Sequence, residues 1–340
     1  MLYNFCTLFD SGYLDKGLVA YYSLKKYCTN FHLYIVAFDE MAYKCLCNME
    51  LECCTILYIN DIEDDRLRQI KRERSHAEYC WTCSSYITLY ILEKMSVENC
   101  TYIDADLMFF SNPEILIDEL IENEDSVLIV GHNYPDTKKY RDISQKFGKY
   151  CVQFNTFLND SRGRRVLEDW TLNCLEKCDD GSDGKTFGDQ KYLDGWEDNY
   201  EGVHVLQHKG GGVAPWNIGK YVLKENGKEL LLKECNTGEI FPVIFYHYHA
   251  FKYKDKWYID MSAVRRHEKV DLSLLYIIYG TYVHETDKVR KLLNESYDWK
   301  QKKTRLEKIK RNNKLIKSIS KKLRDRVPIE IIKDFARSLE

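Results

Sequence analysis

Two aspartates, Asp104 and Asp106, follow an apolar stretch of strand length that begins near residue 100. A buried carboxylate without a partner costs on the order of several kcal/mol, so we expect a cation beside the pair. Hard divalent ions prefer carboxylate oxygens and can keep open positions for phosphate oxygens. The pair therefore predicts a metal site that receives a phosphate-bearing ligand. The alternative is two capping or surface aspartates at the end of a strand.

The reaction best suited to such a site is the departure of a nucleoside diphosphate. A divalent ion that bridges two phosphates stabilises the negative charge of this leaving group. Asp104, Asp106 and one neutral imidazole would hold the ion, and this oxygen-rich set favours Mn²⁺ or Mg²⁺ over Zn²⁺. The strand-like segment 243–248 and the residue after it offer His247 and His249. We expect only one of these two histidines to line the site.

The elements that would position these residues alternate between short apolar strands and helices. Apolar runs predict strands at 1–8, 33–38, 55–59, 100–106, 126–131 and 243–248. Helical spacing predicts helices over 14–27, 84–95, 163–178 and from residue 113. Fully apolar strands separated by helices are typical of a parallel sheet covered on both faces. Ligands of such sheets bind outside the carboxyl ends of the strands, which is where the two aspartates lie.

Several motifs resemble those of glycosyltransferases with the GT-A fold, most closely family 8 and its bacterial relatives in surface-polysaccharide gene sets. In chain order, over residues 1–255, these motifs are Ile103-Asp104-Ala105-Asp106, Phe154-Asn155-Thr156-Phe157, Phe187-Gly188-Asp189-Gln190 and His247-Tyr248-His249-Ala250. Ala250 stands where the family motif has glycine. The resemblance implies an α/β protein of the GT-A class, Rossmann-like with a mostly parallel central sheet and, here, a helical, basic C-terminal extension.

The resemblance implies metal ligation by Asp104, Asp106 and His247. It also implies that Asp189 and Gln190 are catalytic: Asp189 would accept hydrogen bonds from sugar hydroxyls, and Gln190 would lie under the anomeric carbon in a retaining transfer. If the transfer inverts the anomeric centre instead, a carboxylate such as Asp189 or Asp194 would act as general base. A structural alternative for Asp189 is that it caps the helix that follows it.

The N-terminal strand and the turn after it resemble the nucleotide-base pocket of the same fold. The backbone of Thr7 and Leu8 would read the edge of the base, Tyr13 would stack on it, and Asp39 would reach the base or the ribose. Ala105, between the two aspartates, is also implied in nucleotide-sugar binding. Asn155 is implied on the acceptor side.

Three consecutive glycines, 210–212, precede Trp216. Glycines allow the backbone to approach a ligand closely, and an indole ring offers a flat platform for a sugar. We therefore expect Trp216 to contact the acceptor or the transferred sugar. The alternative is a flexible hairpin with a buried tryptophan.

The chain has 340 residues, 44% of them hydrophobic and 30% charged, which is typical of a globular protein with a sizeable core. Neither a secretory signal nor an apolar run of the roughly 20 residues that a membrane helix needs is visible. Thirteen cysteines without a signal indicate reduced thiols and a cytoplasmic location.

Residues 300–326 carry thirteen lysines and arginines against two acids, a local charge of +11 in a chain whose net charge is −3. Apolar residues at three- to four-residue spacing predict an amphipathic cationic helix there, which would bind an anionic membrane surface and not nucleic acid. The alternative is a solvated helix or a partly disordered tail. We divide the chain into a catalytic domain at 1–265 and a helical region at 266–340.

Together these features predict a metal-dependent glycosyltransferase. It would move a sugar from a nucleotide-diphosphate sugar to a saccharide or lipid-linked saccharide acceptor, in bacterial surface-polysaccharide synthesis, in the cytoplasm or at the inner face of the plasma membrane. One alternative is a sugar nucleotidyltransferase, although these enzymes usually carry a glycine-rich loop with arginine after the first strand. Another is a non-catalytic carbohydrate-binding protein that uses the aromatic surface.

Overall fold

The computed structural model describes residues 1–181, 184, 186–255, 258–260, 263, 267, 269–297, 299 and 326–328. The strands are β1 (Tyr3–Phe9), β2 (Phe31–Ala37), β3 (Cys54–Tyr58), β4 (Asn99–Ile103), β5 (Leu107–Phe109), β6 (Val127–Gly131), β7 (Tyr150–Leu158), β8 (Val203–Val205), β9 (Gly211–Val213), β10 (Tyr221–Asn226), β11 (Leu230–Glu234), β12 (Ile240–Pro242), β13 (Phe245–His247), β14 (Lys252–Asp255), β15 (Tyr258–Asp260) and β16 (Arg326–Pro328). The helices are α1 (Leu14–Tyr27), α2 (Glu40–Asn48), α3 (Ile59–Ile62), α4 (Asp65–Glu73), α5 (His76–Lys94), α6 (Glu114–Glu122), α7 (Lys138–Phe147), α8 (Ser161–Glu176), α9 (Trp196–Asn199) and α10 (Leu272–Ser296), with 3₁₀ turns at Gln190–Gly195 and Ile218–Lys220.

A seven-stranded sheet forms the centre of the fold, in the order β3-β2-β1-β4-β7-β6-β8. Strands β1 to β4 run parallel to one another, with Thr7 of β1 opposite Ile35 of β2. Strand β7 is antiparallel to both its neighbours, β4 and β6, and β8 is again parallel to β6. The predicted mostly parallel α/β sheet is confirmed, and β7 is the strand that departs from it.

The central sheet is buried on both faces, which explains why its strands read as continuous apolar runs. Alternate side chains of a strand point to opposite faces. Phe5 of β1 accordingly packs in one core with Leu18 of α1, whereas Cys6 packs in the other core with Ile87 of α5. Helix α5 begins earlier than the predicted residue 84, because Ser75 and Glu78 form a reciprocal capping box in front of His76.

A second, three-stranded sheet lies beside the carboxyl end of β4 and has the order β5-β13-β9. The chain leaves the central sheet after Ile103, turns through residues 104–106 and enters this sheet as β5. Strand β13 pairs antiparallel with β5, so that His247 stands opposite Leu107. This register carries a histidine from late in the chain to the residue that follows Asp106.

Helix α10 packs against the main core and not apart from it. Its Tyr279 and Tyr282 contact the β13 segment, where the Tyr248 and Tyr282 rings stack at 3.6 Å between centroids. Nearer its end, Arg290 donates to Asp15 of α1 at 2.7 Å, and Trp299 donates its indole N–H to the Ser11 carbonyl at 3.0 Å. The predicted C-terminal helix is therefore present, while the division of the chain at residue 265 stays a prediction.

The basic segment 300–326 lies outside the described residues, except for Arg326, whose backbone pairs with Asp260 in a small sheet. In the described part of the chain, no helix combines the length and the apolar character that crossing a bilayer requires.

Candidate active site

The turn after β4 holds the two aspartates at the junction of the two sheets. The Asp104 N–H donates to the Gln153 carbonyl of β7 at 3.1 Å, and the Leu107 N–H closes the turn on the Asp104 carbonyl at 3.3 Å. The backbone that carries the two carboxylates is consequently held by hydrogen bonds on either side of the turn. Residues 104–106 lie outside strand β4, which ends one residue earlier than the aspartate pair.

Asp104, Asp106 and His247 converge on one point. His247 Nε2 lies 3.1 Å from Asp106 Oδ1 and 3.6 Å from Asp104 Oδ2. One ligand atom from each of the three residues lies within 4.8 Å of the others, and among the described residues no other group of histidines, cysteines and acids is arranged in this way. Two carboxylates and one imidazole suit a divalent ion of the Mn²⁺ or Mg²⁺ type and leave further positions for ligand oxygens.

The charges of these three groups depend on one another. Burial raises the pKa of Asp104 to about 7, although the His247 ring opposes this. Burial also disfavours the ionised form of Asp106, but His247 and Lys16 outweigh it and hold the pKa of Asp106 below its usual range. For His247, burial opposes protonation, yet the two carboxylates prevail and raise its pKa. The two carboxylates thus favour a proton on His247 at the position where a metal would bind.

A cavity of about 630 Å³ opens beside the three groups. Of the site residues that the sequence and the motifs predict, those that line it are Leu8, Tyr13, Asp104, Ala105, Asp106, Asp189, Gln190, Trp216 and His247. These residues come from strands β1 and β13, the turn between β1 and α1, the turn after β4, the loop before the Gln190–Gly195 turn and the start of that turn, and the segment after β9. Residues that are far apart in the sequence therefore share one concave site at the carboxyl ends of β1 and β4.

No protein-family model matches the chain. It is 28% identical over 285 residues to YfnD of Bacillus subtilis strain 168, covering 83% of this chain and 88% of that protein. It is 25% identical over 283 residues to YfnF of the same strain, covering 81% and 89%. Both relatives are described as uncharacterized proteins.

The galactosyltransferase LgtC, solved with donor and acceptor sugar analogues, matches 84% of this chain and 95% of its own with a TM-score of 0.53 and 11% identity. The chain has the GT-A fold. The fold that the sequence motifs imply is therefore confirmed. At this level of identity the similarity concerns the fold, so the chemistry of the site has to be argued from its own residues.

In this GT-A fold, Asp189 and Gln190 lie on a loop that closes one side of the cavity. Ser84 of α5 donates to Asp189 Oδ2 at 2.6 Å, and the Trp170 indole N–H donates to the Asp189 carbonyl at 3.0 Å. Gln190 donates its amide N–H to the Phe147 carbonyl at 2.5 Å. Burial raises the pKa of Asp189 to about 7, with the Ser84 hydrogen bond opposing it. The Asp189 side chain makes no capping hydrogen bond to a helix, although the Gln190 backbone N–H, like Ser84, favours its ionised form.

Three residues of the predicted site do not line the cavity of the GT-A fold. The Thr7 and Asn155 side chains are buried in the central sheet, where the Thr7 hydroxyl and both polar atoms of Asn155 have no hydrogen-bond partner among the described residues. Asp39 accepts from the Ser11 N–H and hydroxyl and from the Ala42 N–H, so its carboxylate shapes the β1–α1 turn and caps α2. Their direct contact with a ligand stays a prediction.

His247 and His249 both line the cavity, with ring centroids 5.6 Å apart. The expectation that only one of them would do so was wrong. Side chains two residues apart in an extended strand share a face, and here β13 ends at His247 while His249, in the turn that follows, lines the same cavity. Next to them, Ala250 has a φ of 59°, in the left-handed region that favours glycine. An alanine thus adopts a backbone conformation that costs glycine less, at the position where the family motif has glycine.

Trp216 is buried and packs edge-on against the His247 ring at 5.3 Å between centroids, so it supports a candidate metal ligand as well as lining the cavity. The glycines before it do not line the cavity. A Cβ on Gly210 would lie 1.9 Å from the Pro242 carbonyl oxygen, and one on Gly211 would lie 2.6 Å from the Leu206 side chain. These glycines are required by close packing within the protein, not by the approach of a ligand.

Two side chains that contact the candidate metal ligands are not among those that the sequence patterns single out. Lys16 of α1 places Nζ 3.8 Å from Asp106 Oδ2 and 3.9 Å from the centre of the Tyr13 ring. Gln153 of β7 places its amide oxygen 2.8 Å from His247 Nδ1. Lys16 is a lysine on a helix and Gln153 is a polar residue inside a strand, and neither belongs to a recognisable motif.

Proposed function

We propose that this protein is a metal-dependent glycosyltransferase that moves a sugar from a nucleotide-diphosphate sugar to a saccharide acceptor. The observation that carries the proposal is the meeting of Asp104, Asp106 and His247 in the same cavity as Asp189 and Gln190, within a GT-A fold. A likeness to family 8 in particular rests on the motifs.

Asp104, Asp106 and His247 would hold a Mn²⁺ or Mg²⁺ ion. Such an ion supplies Lewis-acid stabilisation of the charge that develops on a diphosphate leaving group. The protein groups fix the place of that charge, since the two carboxylates are held by the turn and the imidazole by strand β13. The nucleoside would extend towards Leu8 and Tyr13, at the end of β1, with Ala105 beside the diphosphate.

Asp189 and Gln190 would act on the sugar. The Asp189 carboxylate, held by Ser84, would accept hydrogen bonds from sugar hydroxyls. The Gln190 amide nitrogen donates to the Phe147 carbonyl, so its amide oxygen is the atom that can face the sugar. An amide oxygen near the anomeric carbon stabilises positive charge on that carbon, as a retaining transfer requires.

The acceptor side is the less defined part of the proposal. We propose a lipid-linked saccharide of bacterial surface-polysaccharide assembly, because residues 300–326 carry a charge of +11 that would attract an anionic membrane surface. The enzyme would then work in the cytoplasm, as a peripheral protein at the inner face of the plasma membrane. Sedimentation with anionic and neutral vesicles, for the full chain and for a variant with lysines of 300–326 replaced by glutamine, measures this contribution.

The test of the central proposal is binding and hydrolysis of UDP, GDP and dTDP sugars with and without Mn²⁺. The matched donor is expected to raise the melting temperature only with the metal, and at 100 times its Kd it stabilises the folded protein by about 2.7 kcal/mol. Asp104→Asn and Asp106→Asn should each abolish this shift and the metal-dependent donor hydrolysis. Asp65→Asn, a change at an exposed acid far from the site, should leave both unchanged.

Unchanged metal-dependent hydrolysis in both site variants would overturn the proposal. The same experiments separate the alternatives. A carbohydrate-binding protein should bind glycans without metal and bind no nucleotide. A sugar nucleotidyltransferase should consume a nucleoside triphosphate with a sugar phosphate and release pyrophosphate.

A further inference from the structure

Gln153 is a fully buried polar residue in the middle of strand β7. Its amide oxygen lies 2.8 Å from His247 Nδ1, and its backbone carbonyl accepts the Asp104 N–H at 3.1 Å. The same residue thus holds two of the three candidate metal ligands, one through its side chain and one through its backbone.

The contact with His247 decides which ring nitrogen carries a proton. An amide oxygen only accepts hydrogen bonds, so the Nδ1 next to it must carry hydrogen. The other nitrogen, Nε2, is the one that faces Asp106 and Asp104. A neutral ring with hydrogen on Nδ1 has a lone pair on Nε2. This is the tautomer that binding a metal through Nε2 requires.

Nothing else in the packing accounts for an amide at this position. The Gln153 amide nitrogen is buried and has no hydrogen-bond partner within the described part of the chain. An unpaired buried polar atom is unfavourable, and a methionine of similar volume would avoid that cost. The only side-chain hydrogen bond that the structure describes for Gln153 is the one to His247.

We propose that Gln153 is a positioning residue for the metal centre: it orients the His247 ring and fixes it in the tautomer with Nε2 free for the metal. The proposal rests on the metal site of the proposed function. It assigns a role to a residue that would touch neither metal nor substrate. Outer-shell partners of this kind change metal affinity by about 10- to 100-fold.

The experiment measures the affinity of the full-length protein for Mn²⁺ alone, by titration followed through the electron paramagnetic resonance signal of free Mn²⁺. Gln153→Met, which keeps the volume but removes the acceptor, should weaken Mn²⁺ binding by about 10- to 100-fold. Gln153→Glu, which keeps an acceptor oxygen towards Nδ1, should restore the affinity to within a few-fold of the wild type. The midpoint of urea unfolding is recorded for each variant.

Thr156→Val is the matched control. Thr156 is fully buried on the same strand, and its hydroxyl shares a 2.8 Å hydrogen bond with Thr101, away from the metal site. This variant should lose stability and keep its Mn²⁺ affinity.

Three results would overturn the inference. The first is a Gln153→Met protein that binds Mn²⁺ as tightly as the wild type. The others are an equal loss of Mn²⁺ affinity in Thr156→Val, and a Gln153→Glu protein that does not recover the affinity. Mn²⁺ binding by the wild-type protein should be lost in Asp104→Asn. If the wild type binds no Mn²⁺, or if Asp104→Asn binds it equally well, the proposed function fails rather than the role of Gln153.

Discussion

The Ser84 hydroxyl of α5 lies 2.6 Å from the Asp189 carboxylate, although 105 residues separate the two in the sequence. Asp189 is only 7% exposed, and burial raises its pKa to about 7. A hydroxyl that donates to a carboxylate favours the ionised form, so Ser84 opposes the effect of burial. Helix α5 therefore counteracts the effect of burial on a carboxylate that comes from a distant part of the chain.

Replacing Ser84 by alanine should raise the pKa of Asp189 further. We expect the acid limb of the pH profile of donor hydrolysis to move to higher pH by about one pH unit, the equivalent of ~1.4 kcal/mol. Ser85→Ala is the control, because the Ser85 hydroxyl bonds to the Thr82 carbonyl within the same helix. Overlapping pH profiles for Ser84→Ala and the wild type would show that Asp189 is not the group that titrates.

Metal binding should depend on pH. In the free protein, the carboxylates raise the pKa of His247 against the effect of burial, and burial raises the pKa of Asp104 to about 7. A metal must displace these protons, so Mn²⁺ affinity should increase as pH rises from about 6 to about 8, by up to about tenfold per pH unit for each proton displaced. Calorimetry in buffers of different ionisation enthalpy counts the protons released. A constant Kd and no proton release would contradict the assignment.

Lys16 should weaken the binding of a bare metal ion. Its ammonium nitrogen lies 3.8 Å from Asp106 Oδ2, and its side chain is only 14% exposed. Water therefore screens the repulsion between this ammonium group and a bound metal ion poorly. Lys16→Met should therefore bind Mn²⁺ alone more tightly, by roughly three- to tenfold. Lys25→Met removes a lysine of the same helix that pairs with Glu52 at the surface, and should bind Mn²⁺ like the wild type. Weaker Mn²⁺ binding in Lys16→Met would show that the lysine mainly organises Asp106.

The ion pair between Arg290 and Asp15 should contribute to stability. Its side chains are 14% and 2% exposed, and the pair joins α10 to α1. Arg290→Met leaves the Asp15 carboxylate buried without its partner, which should lower the free energy of unfolding by about 3 kcal/mol. The double variant with Asp15→Asn should recover part of this loss in urea unfolding. Lys288→Met, which breaks an exposed pair with Glu285, should cost less than about 0.5 kcal/mol.

Much of the fold could be predicted because apolar periodicity reports burial directly. Helix α1 has the predicted bounds, and strands β1, β2 and β3 lie within a few residues of the predicted runs. Strand β7 is not predicted in this way, because its interior contains Gln153, Asn155 and Thr156. All three are fully buried, which a polar residue rarely is without a structural or functional reason.

The candidate ligands Asp104, Asp106 and His247 could be named from residue type, position after an apolar strand and motif. How they meet could not, since it depends on the pairing of β5 with β13 across more than a hundred residues. The roles proposed for Lys16 and Gln153 likewise rest on their distances from Asp106 and His247. The residue types alone do not predict these distances. For the same reason, the sequence suggested a ligand-binding role for the glycines at 210–212, whereas the structure shows Gly210 packed against Pro242 and Gly211 against Leu206.

The sequence by itself determined the layered α/β architecture and the chemical identity of the site's main groups, because burial patterns and ligand preferences are properties of residue types and local spacing. Only the tertiary structure decided which histidines face the cavity, which nitrogen of His247 faces the two carboxylates and which cation stands beside Asp106. Those properties depend on strand register and on hydrogen-bond partners that are remote in sequence, and local spacing carries no information about either.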